Sequence, residues 1–465
     1  VTSPDDPSGL AAWAEAHRGQ ARKVLVIGLD SAPPELLFDR FAPHLPHLGR
    51  LRAESAWGPL ESVVPAITVP AWASAMTGCD PGQLGIYGFR HHVHSSYAPA
   101  RFVDSTDVRV DAVWDTLSRQ GRSVVVVGVP PGYPPRRVRG SFVSCFLSPD
   151  ARRPGTHPRA LAETIARVAD RYAVDVEAHR LVSRDRLLCD VREMTEQRFR
   201  LFRHLLRTSP WDFAMMVEIG LDRVHHAFWS TFDHEHPDYV AGGLYEHAVP
   251  DYYRLLDQEI GATLNEVDAG TAVFVMSDHG VKRLRGGIAI NEWLVRQGHL
   301  ALASVPACCA PLQPEMVDWG RTTAWAEGGH CGRVYLNLRG RQPQGIVDPA
   351  DGDRLLGQIE QGLLAIPAPD GRTIATRVFR PDAIYRECRG FPPDLIVYFG
   401  DLDWRAVGSI GTGAIHVAEN DSGPDHANHA RAGVLVARVP GARPEELPDL
   451  RLIECGPAML TVLGC

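Results

Sequence analysis

The 465-residue chain has no run of about eighteen apolar residues, which argues against a membrane-spanning helix. It also has no basic excess. Its 48 Lys and Arg stand against 56 Asp and Glu, and a net charge of −8 argues against binding a nucleic-acid polymer nonspecifically. A small phosphorylated substrate stays compatible with that charge, because a bound metal ion can reverse the local sign. The nine cysteines include no C-x-x-C pair, and the adjacent Cys308 and Cys309 lack a zinc-ribbon spacing. Scattered and odd in number, they predict reduced, mostly buried thiols. The first twenty residues lack the basic and apolar regions of a secretory signal, so the expected location is cytoplasmic. Three catalytic fingerprints are missing as well. There is no G-x-G-x-x-G, since Asp30 stands where such glycines would begin, and there is no G-x-x-x-x-G-K-[ST] or G-x-S-x-G. These gaps argue against a dinucleotide enzyme, a P-loop NTPase and a serine hydrolase of the elbow type.

What is present reads as α/β. Hydrophobic content of 45% and charged content of 22% are ordinary globular values. The length predicts one large domain with insertions, or two domains. KVLVIGL, residues 23–29, is a continuous apolar run of the kind found in a buried parallel strand. Similar runs lie at 123–129, 212–218, 271–277, 394–399 and 433–439. Between them, Met194, Phe202, Leu205 and Leu206 fall at helical spacing, as do Tyr252, Leu255, Leu256, Leu264 and Val267. Strands alternating with helices predict a mostly parallel central sheet with helices on both faces. In such sheets, chemistry collects at the carboxyl ends of the strands. We expect a catalytic domain over 20–465, preceded by a loose arm with one short helix. Two stretches break the rhythm, 90–190 and 300–392, and are expected as cap-like insertions. The first is rich in turn signals such as PPGYPP at 130–135.

Thr68 lies between a strand-like run, residues 60–64, and a helical stretch with Pro70 in its first turn. It is a helix-capping residue, or a nucleophile whose developing charge a helix N-terminus would hold. Several strands run into metal-type side chains. The first ends at Asp30; the strand from Asp212 leads to Asp222, His225 and His226; the strand from Thr271 leads to Asp278 and His279. Asp425, His426 and His429 precede the strand at 433–439. Mixed carboxylate and imidazole donors suit zinc, manganese or iron. Two such ions about 4 Å apart can clamp a displacement at phosphorus.

The segments around these residues resemble the alkaline phosphatase superfamily. They are PAITVPAWASAMTG, PGQLGIYGF, LDRVHHAFW, SDHG and the late histidine segment. More narrowly, they resemble the type I phosphodiesterase/nucleotide pyrophosphatase group and its bacterial branch of predicted phosphohydrolases and phosphomutases. The likeness runs over about residues 23–440. It implies two divalent metal ions, usually zinc, with manganese or iron as alternatives, and Thr68 as the nucleophile that forms a phosphothreonine. One ion would be held by Asp30, Thr68, Asp278 and His279. The other would be held by Asp222, His226 and a late histidine four residues before a glycine that opens a strand. His429 and Gly433 match that spacing. The implied activity is hydrolysis of a small phosphodiester or phosphomonoester, with a nucleotide-derived substrate preferred by analogy. The alternatives are a phosphomutase or phosphotransferase of the same superfamily, or a non-catalytic metal-binding member. The family's phosphate-contacting asparagine has no counterpart here: Phe89 stands near its place, with Arg90 and His91 beside it. Those three, together with Lys282, Arg285 and His330, are the candidate substrate contacts.

Overall fold

The strand Lys23–Leu29 is buried from its second residue onward and pairs in parallel on both edges. A strand enclosed in this way has no solvent face to spend on polar residues, which is why the run is continuously apolar. The computed structural model describes residues 9–98, 101–177, 179–418 and 425–465. The chain divides into two compact units. The first takes the chain through Asp80, then Val103–Val281 and Ala430–Cys465; the second is Pro81–Phe102 and Lys282–His429.

In the first unit the sheet runs in the order Glu445–Glu446, Ala56–Glu61, Ala432–Arg438, Thr271–Met276, Lys23–Leu29, Phe213–Glu218, Val124–Val127, Gly140–Val143, Thr156–His157. Its middle, from 271–276 to 140–143, is parallel. Antiparallel pairs enter on both sides, at Ala432–Arg438 and at Thr156–His157. Successive strand residues point to opposite faces. Val24 and Val26 join one core cluster with Trp13, Trp72, Trp114 and Met459. Leu25 and Ile27, equally buried, face the other way. Both faces are therefore covered, and the architecture is α/β with a mostly parallel sheet.

The second unit has its own core, centred on Trp293, Trp319, Trp325, Tyr335 and Phe399. It holds a four-stranded antiparallel sheet of Ala324–Glu327, Gly332–Leu336, Leu395–Tyr398 and Arg377–Phe379. The apolar run at 394–399 is thus a strand of this second sheet. The stretch 90–190 is shared out between the units. Residues up to Phe102 belong to the second, whereas 103–190 belong to the first and supply its sheet strands Val124–Val127 and Gly140–Val143. The stretch 300–392 lies wholly in the second unit.

The expected loose arm begins in residues outside the described ones, but its helix, Gly9–Ala16, is not loose: Leu10, Trp13 and Ala14 are apolar and buried in the core of the first unit. Among the described residues, no helix is long and apolar enough to cross a membrane. All nine cysteines are free thiols, yet Cys189, Cys308, Cys309 and Cys388 are exposed, so the thiols are not mostly buried as expected. Three of those four sit in loops of the second unit, where composition carries no burial signal.

Candidate metal and nucleophile site

Three neighbouring strands of the first unit end level with one another. Gly28 sits beside Met276 on one edge, and Leu29 beside Glu218 on the other. The residues that follow are therefore delivered to one edge of the sheet: Asp30, then the helix bearing Asp222 and His226, then Asp278 and His279. All five are buried. Asp30 is held in place by its own N–H, which donates to Glu218 O at 3.0 Å.

Thr68 is the first residue of the helix Thr68–Thr77. Its N-cap is Ile67, in extended conformation and without a side-chain cap bond. The Thr68 hydroxyl is thus not used for capping. It lies 3.4 Å from Asp30 Oδ1 and 3.3 Å from His279 Nε2, at the end of the helix where backbone N–H groups are unpaired by the helix itself. Gly78, in left-handed conformation, closes the far end.

One turn along that helix stands Trp72, which the sequence pattern did not single out. Its indole N–H donates to Asp30 Oδ2 at 2.9 Å. Trp72 reaches the strand because Gly28 has no side chain. A Cβ there would lie 2.5 Å from the indole ring and 2.8 Å from Val217. Gly28→Ala is therefore expected to cost about 1–3 kcal/mol of stability, since the fully buried ring has nowhere to move. Denaturant unfolding would read this as a lowered midpoint; an unchanged midpoint would mean that the ring can shift.

Asp278 is oriented from the first strand. Its Oδ1 accepts the Ser31 N–H at 3.2 Å, and Ser31 holds a left-handed backbone, with φ of 71°. A serine in that region is strained, which is common where a site dictates the backbone. The other oxygen, Oδ2, is buried, accepts no hydrogen bond among the described residues, and lies 3.2 Å from His279 Nε2. His279 Nδ1 faces the Gly280 carbonyl at 2.9 Å. A carbonyl can only accept, so Nδ1 carries the proton. Burial lowers the imidazole pKa to about 4, so the ring is neutral and Nε2 presents a lone pair.

The result is a cluster of acceptor atoms. Asp30 Oδ1, Asp278 Oδ2 and His279 Nε2 converge, and the Thr68 hydroxyl has one hydrogen to offer. Burial and the neighbouring carboxylates push the pKa of both Asp30 and Asp278 well up. A divalent cation would satisfy such a set, in place of protons on the carboxyls. Ligand atoms of Asp30, Asp278 and His279 all lie within 4.8 Å of one another, a spacing that can hold a metal ion. One carboxylate–imidazole set of this type fits zinc, manganese or iron.

On the helix Gly220–Phe232, Asp222 Oδ1 lies 3.2 Å from His226 Nε2, as expected for positions i and i+4 on one helix face. His225 points elsewhere. Its ring meets Ser31 Oγ at 3.1 Å and the Tyr253 hydroxyl at 3.2 Å, and burial lowers its pKa to about 3. It is a neutral brace that connects Ser31 to the helix Ala248–Leu264.

The remaining candidates belong to the second unit. His429 is buried on the strand Ala427–Ala430 and stacks on His330, ring centroids 3.5 Å apart. His330 Nδ1 lies 3.0 Å from Asn428 Oδ1 and 3.2 Å from Arg405, itself paired with Asp425. Cys331 beside it is buried, which pushes its thiol up to about 11 and makes it unreactive. Lys282 and Arg285 share one carboxylate, Asp403, at 2.7 and 3.3 Å. Arg90 is exposed, with its guanidinium over the Phe102 ring; Phe89 and His91 are half-buried.

A sequence model described as type I phosphodiesterase/nucleotide pyrophosphatase matches residues 24–430, most of the chain. The chain belongs to that family. This member of the type I phosphodiesterase family, within the alkaline phosphatase superfamily, is a hydrolase of phosphate ester bonds. Its fold is similar to phosphonoacetate hydrolase from Sinorhizobium meliloti 1021 in complex with phosphonoformate, at 18% identity and a TM-score of 0.62, covering 96% of this chain and 97% of that one. It is also similar to human ectonucleotide pyrophosphatase/phosphodiesterase 5, at 12% identity and a TM-score of 0.53, covering 95% and 94%. A murine form of the latter, also similar in fold (12% identity, TM-score 0.54, 95% of each chain covered), was solved with AMP. No curated protein sequence matches this chain significantly.

Proposed function

We propose that this phosphodiesterase-family chain hydrolyses a small phosphodiester or phosphomonoester through a phosphothreonine on Thr68. The observation that carries the reading is the convergence of Asp30, Asp278 and neutral His279 on a hydroxyl at a helix N-terminus. Asp30, Thr68, Asp278 and His279 would hold one divalent ion; Asp222 and His226, with His429 added on the family spacing, would hold a second. Zinc is the preferred ion, with manganese and iron as alternatives. When bound, the ions supply a lowered hydroxyl pKa and charge neutralisation at the phosphoryl oxygens.

The chain's own residues supply the rest. Thr68 Oγ1 gives up its proton to water, because His279 Nε2 and Asp30 Oδ1, the two acceptors beside it, are the atoms that would hold the ion. It then attacks phosphorus, the ester oxygen leaves, and water later cleaves the phosphothreonine. Trp72 and the Ser31 N–H keep Asp30 and Asp278 from rotating as charge shifts, so no reorganisation is required at the moment of reaction. Small phosphoryl compounds are favoured as substrates. The fold relatives bind phosphonoformate and AMP, which supports that class without naming a member of it.

The test is hydrolysis of bis-p-nitrophenyl phosphate and of p-nitrophenyl phosphate with Zn2+ or Mn2+ supplied. We expect turnover of at least one, and the faster of the two sets diester or monoester class. Tight binding of two ions with no turnover of these or of a nucleotide panel would overturn the hydrolytic reading in favour of metal binding alone.

A further inference from the structure

Asp222 has a neighbour that the two-metal reading does not use. Arg223 Nη1 donates to Asp222 Oδ2 at 2.7 Å. The same guanidinium grips Asp175 in a fork, with Nε to Oδ1 at 3.0 Å and Nη2 to Oδ2 at 2.8 Å. Its side chain is 12% exposed, and the ring of Phe146 lies 5.6 Å away. Only an arginine reaches two carboxylates in one plane with this geometry.

Asp175 is itself anchored. A second arginine, Arg198, is fully buried and donates to the carbonyls of Ala173 and Val174 at 3.3 and 3.0 Å. It also pairs with Glu218, the last residue of the strand that leads into the Asp222 helix. Glu218 Oε1 in turn accepts the Gly220 N–H at 2.8 Å, at the first residue of that helix. The loop 173–175 and the start of the Asp222 helix are thus fastened to the same strand end.

We propose that Arg223 is a positioning residue: held by Asp175, it occupies one oxygen of Asp222 and turns the other, Oδ1, toward His226 to receive a metal ion. This rests on the two-metal reading above. Arg223 touches neither substrate nor the reacting atoms. Its work is to fix one carboxylate rotamer and to keep Asp222 from binding an ion through both oxygens. Outer partners of this kind orient the ligands they touch, and their loss typically costs about 10–100-fold in metal affinity or activity.

A charge effect and a positioning effect predict different signs. Arg223→Gln removes a positive charge, which by charge alone would tighten cation binding; Asp175→Asn removes a negative charge, which by charge alone would weaken it. Positioning predicts that both weaken it. The experiment is a Co2+ titration of the full-length, metal-stripped protein, followed by visible absorption and by chelator competition. We expect both variants to lose about 10–100-fold in affinity at one of two sites, with an altered absorption band there and the other site unchanged. The double variant should be no worse than the weaker single one, because the two residues act as one device. Arg223→Lys, which keeps the charge and loses the fork, should resemble Arg223→Gln. Opposite signs for the two single variants would overturn the proposal. So would equal weakening of both sites with a lowered melting temperature, which marks a folding role. A native protein that takes up fewer than two ions fails earlier, at the two-metal reading itself.

Discussion

Thr68→Ala should abolish phosphoester turnover, by roughly a thousandfold or more, while the protein keeps its metal ions and its fold. The fold is safe because the threonine hydroxyl caps nothing: Ile67 is the N-cap, and alanine is a good residue in a first helical turn. The hydroxyl's two hydrogen bonds are long, at 3.3 and 3.4 Å, so removing them should change stability by no more than about 1 kcal/mol. Metal retention follows from the donor set. Asp30, Asp278 and His279 keep their orientation through Trp72, the Ser31 N–H and the Gly280 carbonyl, none of which passes through Thr68. Thr68→Ser restores a hydroxyl at the same place and should recover part of the rate. Its missing methyl lets the hydroxyl sample more rotamers than the β-branched threonine allows. The decisive measurement pairs initial rates with metal content for the native protein and both variants. Alanine turning over at the native rate would remove Thr68 from the mechanism. Alanine losing rate and metal together would make it a ligand first.

Much of this arrangement is legible in the sequence, for a physical reason. Parallel strands buried on both faces leave long aliphatic runs, and the first polar residue after each run marks the sheet edge. Asp30, Asp278 and His279 stand out in that way, and Asp222 with His226 by helical spacing. Thr68 needs the family likeness, because a threonine before Pro70 reads equally well as a cap. What the sequence hides are the side chains that act through others. Trp72 has a helix-face signal, one turn from Thr68, but its use depends on the empty space at Gly28. Ser31 shows nothing in its residue type to announce a left-handed backbone. Arg223 sits next to Asp222 in plain view, yet its partner Asp175 is 48 residues away, in a loop with no regular pattern. The stretch from 90 to 190 misleads for a related reason. Its prolines and charges mark turns, and turns say little about which unit the intervening strands join. The pairing of Val124–Val127 with Phe213–Glu218 is a long-range fact that local composition cannot carry.

Stripping the metal should silence the enzyme and also change how its stability depends on pH. Without a cation, Asp30 and Asp278 sit buried beside one another and beside Asp222, and both are pushed well above the ordinary carboxyl value of about 3.9. A carboxyl with a raised folded pKa holds protons that the unfolded chain has released. Its contribution to stability is present below pH about 4 and is lost as pH rises toward the folded value. Two buried imidazoles work the other way. His279 and His225 are lowered to about 4 and about 3, so what they contribute is present above pH about 6.5 and is lost as pH falls. Between pH 4 and 6.5 the two trends oppose each other in the stripped protein. As pH rises toward the raised values of the two carboxyls, their ionisation destabilises the stripped fold. A bound divalent ion takes the place of the carboxyl protons and cancels that loss. It should add about 4 kcal/mol for each site saturated a thousandfold above its dissociation constant. The melting temperature of the metal-loaded protein should therefore exceed that of the chelator-treated protein by a margin that widens as pH is raised from about 4 toward neutrality. Activity should return when Zn2+ or Mn2+ is added back. A margin that stays constant across that range would mean that the acceptors around Thr68 are satisfied without a metal ion, and the two-metal reading would lose its main physical support.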